Sequence, residues 1–275
     1  MSTAPRVWLI TGASRGLGRA FAEAALAAGD RVVAISRTPA PLDGERALVL
    51  TADVTDRAAV FAAVEQAVAR FGRLDVVVNN AGAMWLGAVE EFSEQEARAA
   101  MELNFFGALW VTQAVTPHLR AGGGRLLQIS SIGGVVTGPM AGLYSAAKFA
   151  LEGMSEALAQ ELAPFGVHVT LVEPGGYWTD LYRSGMHQTE PLEAYSALRS
   201  GEGGAESVDS EPRLAAEAII KLVDSDDPPL RLILGSAVLD AAIAMTKAKI
   251  DTWERWEDVS RAAEHAVPMP EGYTS

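Results

Sequence analysis

The sequence is 275 residues long with 49% hydrophobic and 21% charged residues, so it can bury one sizeable core as a single domain. Its formal net charge of −13 opposes nucleic-acid phosphates, whose binding requires a basic surface. The absence of cysteine excludes disulfides and thiolate chemistry and is typical of a reducing cytoplasm. Its 4 histidines lack the i, i+4 spacing of a metal-binding pair, so we expect no metal site.

Targeting and membrane segments are not expected. No run of about 18 apolar residues lacks a polar interruption, which argues against a membrane span or membrane partner. The N-terminal stretch from Met1 to Arg6 leads directly into a strand-like segment without an apolar signal core. We therefore expect a cytoplasmic protein.

Short apolar runs alternate with segments of helical period over roughly residues 1–235. This pattern predicts an α/β fold with a parallel sheet covered by helices on both faces. The predicted strands are Val7 to Ile10, Arg31 to Ser36, Ala47 to Thr51, Leu74 to Asn79, Gly124 to Ser130, Val167 to Val172 and Arg231 to Leu234.

A glycine-rich turn follows the first strand. The segment Thr11-Gly12-Ala13-Ser14-Arg15-Gly16-Leu17-Gly18 has the spacing TGxxxGxG and opens an alanine-rich helix. Glycines let the backbone approach a pyrophosphate, and the free N–H groups of the helix start point at it. The turn predicts an anion site, and the alternative is a tight connection between packed elements.

The second strand ends in a neutral side chain and a cation, Ser36 and Arg37. Together with Arg15 in the glycine turn, they offer two guanidinium groups and a hydroxyl to a phosphate. Each arginine could instead be a solvated surface charge.

Polar residues also follow the third and fourth strands. Asp53-Val54 comes after the third strand, and Asn79-Asn80-Ala81-Gly82 ends the fourth. For Asp53 we leave two roles open, a ligand contact or the N-cap of a helix that starts near Thr55.

Two later segments carry acid–base chemistry. Ser131 follows the fifth strand, and Tyr144-Ser145-Ala146-Ala147-Lys148 opens the next helix. Tyr144 and Lys148 are four residues apart and therefore share a helix face. A phenol in water has a pKa of about 10, and a nearby ammonium favours the phenolate, so Lys148 can tune Tyr144 as a general acid or base. Ser130 is the rival of Ser131 as the hydroxyl donor.

Together, these segments resemble the short-chain dehydrogenase/reductase family over about residues 5–235. The resemblance implies a single doubly wound Rossmann domain whose seven predicted strands have the order 3-2-1-4-5-6-7. It also implies a catalytic set in which Ser131 polarises the substrate oxygen, Lys148 holds the nicotinamide ribose, and the amide of Asn104 anchors a water relay to the lysine.

The resemblance further implies a nicotinamide cofactor. Asp53 resembles the family's adenine contact, and the segment from Pro174 to Thr179 matches the element that closes over the nicotinamide. Since Ser36 and Arg37 stand where an acidic residue would select NAD(H), we expect NADP(H). The predicted cofactor-binding residues are Gly12, Ser14, Arg15, Gly16, Leu17, Gly18, Ser36, Arg37, Asp53, Val54, Asn80, Ala81, Gly82, Tyr144, Lys148, Pro174, Gly175 and Thr179.

Two segments extend the predicted domain, which covers residues 1–275. Residues 182–211 show the weakest periodicity, which indicates a surface insertion that is either a substrate lid or a solvated linker. Residues 236–275 form a C-terminal helix, predicted to run toward Ala263, and a tail.

The substrate is expected to be a small hydrophobic ketone, aldehyde or secondary alcohol. Aromatic and apolar residues surround the expected reacting centre, although half of them could simply pack in the core. These residues are Met84, Trp85, Val135, Met140, Tyr177, Trp178, Leu181, Tyr182 and Met186.

Three further points stay open. Epimerisation or dehydration on the same fold and a non-catalytic NADP(H)-sensing protein are the alternatives to reduction. The tyrosine segment looks nearest to hydroxysteroid and retinol dehydrogenases or bacterial ketoreductases. The resemblance also implies a homodimer or homotetramer through the helical regions at residues 97–118 and 149–162.

Overall fold

The computed structural model describes residues 4–182, 184–200 and 209–264. The strands are β1 (Val7–Thr11), β2 (Arg31–Ser36), β3 (Ala47–Thr51), β4 (Val76–Asn79), β5 (Met84–Leu86), β6 (Gly124–Ile129), β7 (Val167–Pro174), β8 (Met186–Gln188) and β9 (Arg231–Leu234). The α-helices are α1 (Gly16–Ala27), α2 (Arg57–Phe71), α3 (Glu94–Met101), α4 (Gly107–Gly122), α5 (Gly142–Leu162), α6 (Ser196–Arg199), α7 (Pro212–Asp224), α8 (Ser236–Arg255) and α9 (Glu257–Ala262).

Seven strands form one parallel sheet in the order β3-β2-β1-β4-β6-β7-β9. These are the seven predicted strands, so the α/β Rossmann-type fold and the predicted order are confirmed. The chain order reverses direction between β1 and β4, which is where doubly wound sheets open a ligand crevice at the carboxyl ends of their strands.

The side chains of β1 point alternately to the two faces of the sheet, and helices cover both faces. Trp8 and Ile10 pack toward α1 and α7, whereas Val7 and Leu9 pack toward α2 and α4. All of β1 is buried, because successive side chains of a central parallel strand point to two covered faces.

The short strands β5 and β8 form a separate two-stranded parallel sheet. β8 lies within residues 182–211, where the sequence predicts a segment with little to pack. Within that segment, residues 184–200 contain strand β8 and helix α6. Residues 183 and 201–208 of the predicted insertion lie outside the described residues.

The C-terminal helix differs from its prediction. It ends at Arg255, and α9 resumes at Glu257, with Trp256 between them in a conformation outside the helical region. The tail at residues 265–275 lies outside the described residues. Within the described ranges, no helix combines the length and the apolar character that crossing a bilayer requires.

Candidate active site

A cavity of about 670 Å³ opens at the carboxyl ends of the sheet strands. All of the predicted catalytic and cofactor-binding residues except Gly18 line it. The sequence segments that carry the chemistry therefore converge on one space, although Gly12 and Thr179 are 167 positions apart along the chain.

The glycine turn forms one wall of the cavity. Gly12 and Gly16 have φ angles of +67° and +56°, a region that favours glycine because other residues carry a Cβ. Among the described residues, no side chain caps the start of α1. Its first N–H groups are thus available to an anion, with the positive end of the helix dipole behind them.

Asn80 braces this turn from the end of β4. Its amide nitrogen donates to the Thr11 carbonyl oxygen at 2.9 Å, and its backbone N–H donates to Thr11 Oγ1 at 3.0 Å. A Cβ at Gly18 would lie 2.4 Å from that amide nitrogen and 2.4 Å from the Gly12 carbonyl oxygen. Gly18 therefore supports the turn by close packing and does not line the cavity.

The far end of the cavity holds the side chains that the sequence assigns to a phosphate and an adenine. Arg37 is exposed and lines the cavity, whereas Ser36 is buried and donates to the Thr38 carbonyl oxygen at 2.6 Å. Asp53 accepts from the backbone and hydroxyl of Thr55, each at 2.9 Å.

The N-cap alternative for Asp53 is wrong. Helix α2 begins at Arg57, and its N-cap is Asp56, whose side chain accepts from the Ala59 N–H at 3.0 Å. The carboxylate of Asp53 instead closes a turn before the helix and lines the cavity.

The two serines after β6 make different contacts. Ser130 is buried and donates its hydroxyl proton to Glu152 Oε1 at 2.6 Å. Ser131 Oγ accepts from the Gly133 N–H at 3.1 Å, an arrangement that leaves its own proton available to a substrate oxygen. A 3₁₀ turn, Ile132–Gly134, follows Ser131.

Tyr144 and Lys148 lie on the buried face of α5. The Tyr144 ring packs on the turn after Ser131, because a Cβ at Gly133 would lie 3.3 Å from its Cε1. The Lys148 ammonium lies 5.8 Å from the centre of that ring and donates to the Ile129 carbonyl oxygen at 2.9 Å. Burial lowers the pKa of Lys148 to about 8, and the charge of Glu152 opposes that shift.

Asn104 lies in a π-helical turn, Glu102–Phe106, between α3 and α4. Its Oδ1 accepts from the Ala83 N–H at 3.1 Å, and its Nδ2 donates to the Ala100 carbonyl oxygen at 3.2 Å. A Cβ at Gly82 would lie 2.9 Å from that Oδ1 and 3.8 Å from Lys148 Nζ. Only a glycine therefore fits between the amide and the lysine, and π-turns are frequent at functional sites.

The element after β7 closes the opposite side of the cavity. Thr179 packs on the glycine turn, since a Cβ at Gly16 would lie 3.4 Å from the Thr179 Cβ. Its hydroxyl accepts from the Leu181 N–H at 3.3 Å. Arg15 reaches across to donate to Ser184 Oγ, so this guanidinium contacts the segment at residues 184–200.

Only some of the predicted substrate-side residues line the cavity, and Val135, Met140 and Met186 do not. Met84, Tyr177 and Leu181 line the cavity. Trp85, by contrast, is buried and stacks on His187 with ring centres 4.5 Å apart, and Trp178 is 63% exposed outside the cavity. The side chain of Tyr182 lies outside the described part of the chain.

The sequence did not reveal an ionic cluster next to Tyr144 and Lys148, made of two buried carboxylates and an exposed guanidinium. Glu152, Glu173 and Arg231 form it, and its one detectable sequence feature is the four-residue spacing that continues from Lys148 to Glu152. Among the described residues, no group of three or more His, Asp and Glu side chains is placed to hold a metal ion.

The family is shown by comparison with known proteins. The family model for short chain dehydrogenases matches residues 6–190. A 3-ketodihydrosphingosine reductase of Bacteroides thetaiotaomicron is 42% identical over 241 residues, which cover 85% of this chain and 89% of that protein. The chain belongs to the short-chain dehydrogenase/reductase family and is an oxidoreductase of that type.

Solved structures agree with this assignment. A short-chain dehydrogenase of Streptomyces avermitilis is 40% identical with a TM-score of 0.88, covering 96% of this chain and 100% of its own. A short chain dehydrogenase of Burkholderia cenocepacia, solved in complex with NADP, is 28% identical with a TM-score of 0.75, covering 93% and 98% of the two chains. The family relationship thus includes a structure with a bound nicotinamide dinucleotide.

Proposed function

We propose that the chain is an NADP(H)-dependent reductase of hydrophobic ketones or aldehydes that also oxidises the corresponding alcohols. The observation that carries this proposal is the shared cavity of Ser131, Tyr144, Lys148 and the glycine turn. These groups are the parts that a carbonyl reduction needs: an anion site for the dinucleotide, a proton donor and a hydrogen-bond donor for the substrate oxygen.

Each catalytic side chain has a distinct role in this proposal. A bound reduced nicotinamide supplies hydride to the carbonyl carbon. Tyr144 donates its phenolic proton to the carbonyl oxygen, and Ser131 donates a hydrogen bond to the same oxygen as negative charge develops there. The Lys148 ammonium stabilises the resulting phenolate by its charge.

The residues present fit the dinucleotide. The glycine turn and the uncapped start of α1 would hold the pyrophosphate, and Arg37 lines the cavity next to Ser36. Arg15 also lines the cavity, with its guanidinium on Ser184. Ser36 carries no charge that would repel a 2′-phosphate. The complex of the Burkholderia relative with NADP supports the choice of NADP(H).

An apolar substrate suits the other end of the cavity. Met84, Tyr177, Leu181 and Val238 are apolar or aromatic residues that line the cavity, and burial raises the pKa of Tyr177. The Bacteroides relative is named for a long-chain amino ketone. This name supports a ketone with an extended apolar part.

The experiment is a panel of ketones and secondary alcohols assayed with NADPH and NADH, comparing the wild type with Arg37→Ala. We expect faster turnover with NADPH, and an increase of roughly tenfold in the KM for NADPH in the variant with little change for NADH. Equal use of both cofactors by the wild type would contradict the NADP(H) assignment. Stoichiometric NADPH oxidation separates reduction from epimerisation or dehydration, and an absence of turnover across the panel would favour a sensor.

The oligomeric state stays a prediction. We propose a homo-oligomer through α4 and α5, and the 43% exposure of Phe149 on α5 supports it, because large apolar side chains on a surface often mark an interface. Light scattering coupled to size exclusion tests this, and a monomeric mass at micromolar concentration would contradict it.

A further inference from the structure

The catalytic row on α5 continues beyond the residues that the proposed mechanism uses. Tyr144, Lys148 and Glu152 follow one another at four-residue spacing, so they lie on one face of the helix. All three are buried, and Glu152 is only 3% exposed. A carboxylate buried one turn beyond a catalytic lysine is costly unless it is paired.

One oxygen of Glu152 supports the turn that carries Ser131. Ser130 donates to Glu152 Oε1 at 2.6 Å, and Ser130 directly precedes Ser131. A Cβ at Gly134 would lie 2.0 Å from the same oxygen. The carboxylate therefore fits beneath the turn only because residue 134 is glycine.

The other oxygen joins an ionic cluster. Arg231 Nη1 lies 2.6 Å from Glu152 Oε2 and 2.5 Å from Glu173 Oε1, and its Nη2 lies 2.7 Å from Glu156 Oε1. Glu173 directly precedes Pro174, which lines the cavity. Arg231 on β9 thereby links α5 to the end of β7.

The charge of Glu152 also acts on Lys148. The lysine is 5% exposed, and its bond to the Ile129 carbonyl oxygen is made to a neutral acceptor. Burial favours the neutral amine, whereas the negative charge of Glu152 favours the ammonium. Glu152 is the acidic group whose charge raises the pKa of Lys148.

We propose that Glu152 is a positioning residue that keeps Lys148 charged and holds the Ser131 turn in place. The Ser131 hydroxyl and the Lys148 ammonium then stay correctly placed beside Tyr144. This inference rests on the proposed reductase function. The charged groups that face Glu152 are Lys148 and Glu156 on α5, Glu173 on β7 and Arg231 on β9.

A purely structural role gives a different expectation. An ionic cluster that only fastens α5 to the sheet would lower stability when broken, but it would not change the pH at which Lys148 loses its proton. A measurement of that pH therefore separates the two roles.

The test compares Glu152→Gln with Glu156→Gln. Glu152→Gln keeps the shape of the side chain but removes its charge, and the new amide oxygen can still accept the hydrogen bond from Ser130. The control removes a carboxylate from the same arginine at a half-exposed position, since the Glu156 side chain is 50% exposed.

We expect Glu152→Gln to lower kcat for ketone reduction by roughly tenfold and to move its alkaline limb to lower pH by roughly one pH unit. The control should change neither.

The titration of Lys148 determines the direction in which the alkaline limb of kcat moves. Removing the negative neighbour lowers the pKa of Lys148 below its value of about 8, so the ammonium that tunes Tyr144 is lost at a lower pH. The dissociation constant for NADPH should stay within about threefold, because neither oxygen of Glu152 contacts the glycine turn.

A second readout does not need activity. The chain has 4 lysines, so lysine labelled with ¹³C at Cε gives few resonances, and Lys148→Met identifies the one from Lys148. Its titration midpoint should fall in Glu152→Gln and stay unchanged in Glu156→Gln. Equal midpoints in the wild type and Glu152→Gln would overturn the inference.

The possible failures are distinguishable. If the wild type reduces no ketone with either cofactor, the proposed function fails. The titration midpoint of Lys148 still tests whether Glu152 keeps that lysine charged, because this measurement needs no activity. If Glu152→Gln does not fold, Ser130→Ala keeps every charge and removes only the hydrogen bond to the carboxylate. We then expect a fall in kcat of a few fold without a change in the lysine midpoint, and an unchanged kcat would overturn the inference.

Discussion

The two sides of the cavity are held in different ways. On the cofactor side, the glycine turn is fastened to the sheet by hydrogen bonds between Asn80 and Thr11 at the ends of adjacent strands. On the substrate side, the segment at residues 184–200 lies outside the main sheet, and it is attached by the short β5–β8 pairing, by the stacking of Trp85 on His187 and by the carboxylate of Glu91. This carboxylate accepts hydrogen bonds from Thr189 Oγ1, the Leu192 N–H and Arg199.

This difference indicates which part of the site can move. Hydrogen bonds at the ends of central strands open only with the sheet, whereas a segment held by a pair of three-residue strands and a few side chains can open on its own. The hydrogen bonds from Arg199, Leu192 and Thr189 lower the pKa of Glu91 to about 2. The Glu91 carboxylate is therefore charged at neutral pH, and its hydrogen bonds to residues 184–200 weaken only as the pH falls from about 4.5 to about 2.

Among the variants that compare the two sides, the largest effect is expected on the rigid side, from Lys148→Met. Removing the ammonium leaves the phenolate of Tyr144 without its neighbouring cation, and we expect kcat to fall by about 10²-fold or more. Lys221→Met on the exposed part of α7 is the matched control. Turnover of Lys148→Met within about threefold of wild type would remove this lysine from the mechanism.

A smaller effect is expected on the detachable side, from Glu91→Gln. The amide is a weaker acceptor for Arg199, so the segment at residues 184–200 should stay closed for less of the time. We expect the KM for the ketone to rise by roughly tenfold with kcat changed by less than about threefold. Glu94→Gln, at an exposed ion pair with Arg98, is the control, and steady-state kinetics decide the outcome.

An unchanged KM in Glu91→Gln would mean that substrate binding does not depend on this attachment. In that case the contrast between the two sides would be one of structure alone.

The smallest effect concerns the stability of the sheet behind the site. Burial and the charge of Glu152 raise the pKa of Glu173 to about 7 from 4.5. A carboxyl group whose pKa is raised on folding binds its proton more tightly in the folded state. The stability that Glu173 contributes therefore falls as the pH rises from about 4.5 to about 7. The melting temperature of Glu173→Gln relative to wild type should rise by a few degrees over this interval.

Thermal unfolding at pH 5 and pH 8 measures this difference. A constant offset between the two proteins would show that Glu173 does not titrate in this range.

The sheet and the cofactor side could be predicted from the sequence because their residues have fixed places. Buried parallel strands appear as short apolar runs, and the segments at their carboxyl ends meet at one edge. Together with the resemblance to the short-chain dehydrogenase/reductase family, this geometry predicts that the residues from Gly12 to Thr179 meet at one site.

The remaining features depend on contacts that no local pattern records. β5 and β8 are three residues each, too short for an alternating pattern, and their pairing joins segments about 100 residues apart. The proposed role of Glu152 depends on Arg231 on β9 and on Ser130, which directly follows β6. The N-cap of α2 is Asp56, three residues after Asp53, and only the geometry of the folded chain shows which carboxylate caps the helix.

The central claim is that Tyr144 transfers the proton in a carbonyl reduction driven by a nicotinamide. The most direct measurement is the rate of NADPH oxidation with the best ketone of the panel, for the wild type and Tyr144→Phe, together with the dissociation constant of NADPH. We predict a fall in kcat of about 10²- to 10⁴-fold with NADPH affinity within about threefold. A Tyr144→Phe variant that reduces the ketone as fast as the wild type would contradict the account.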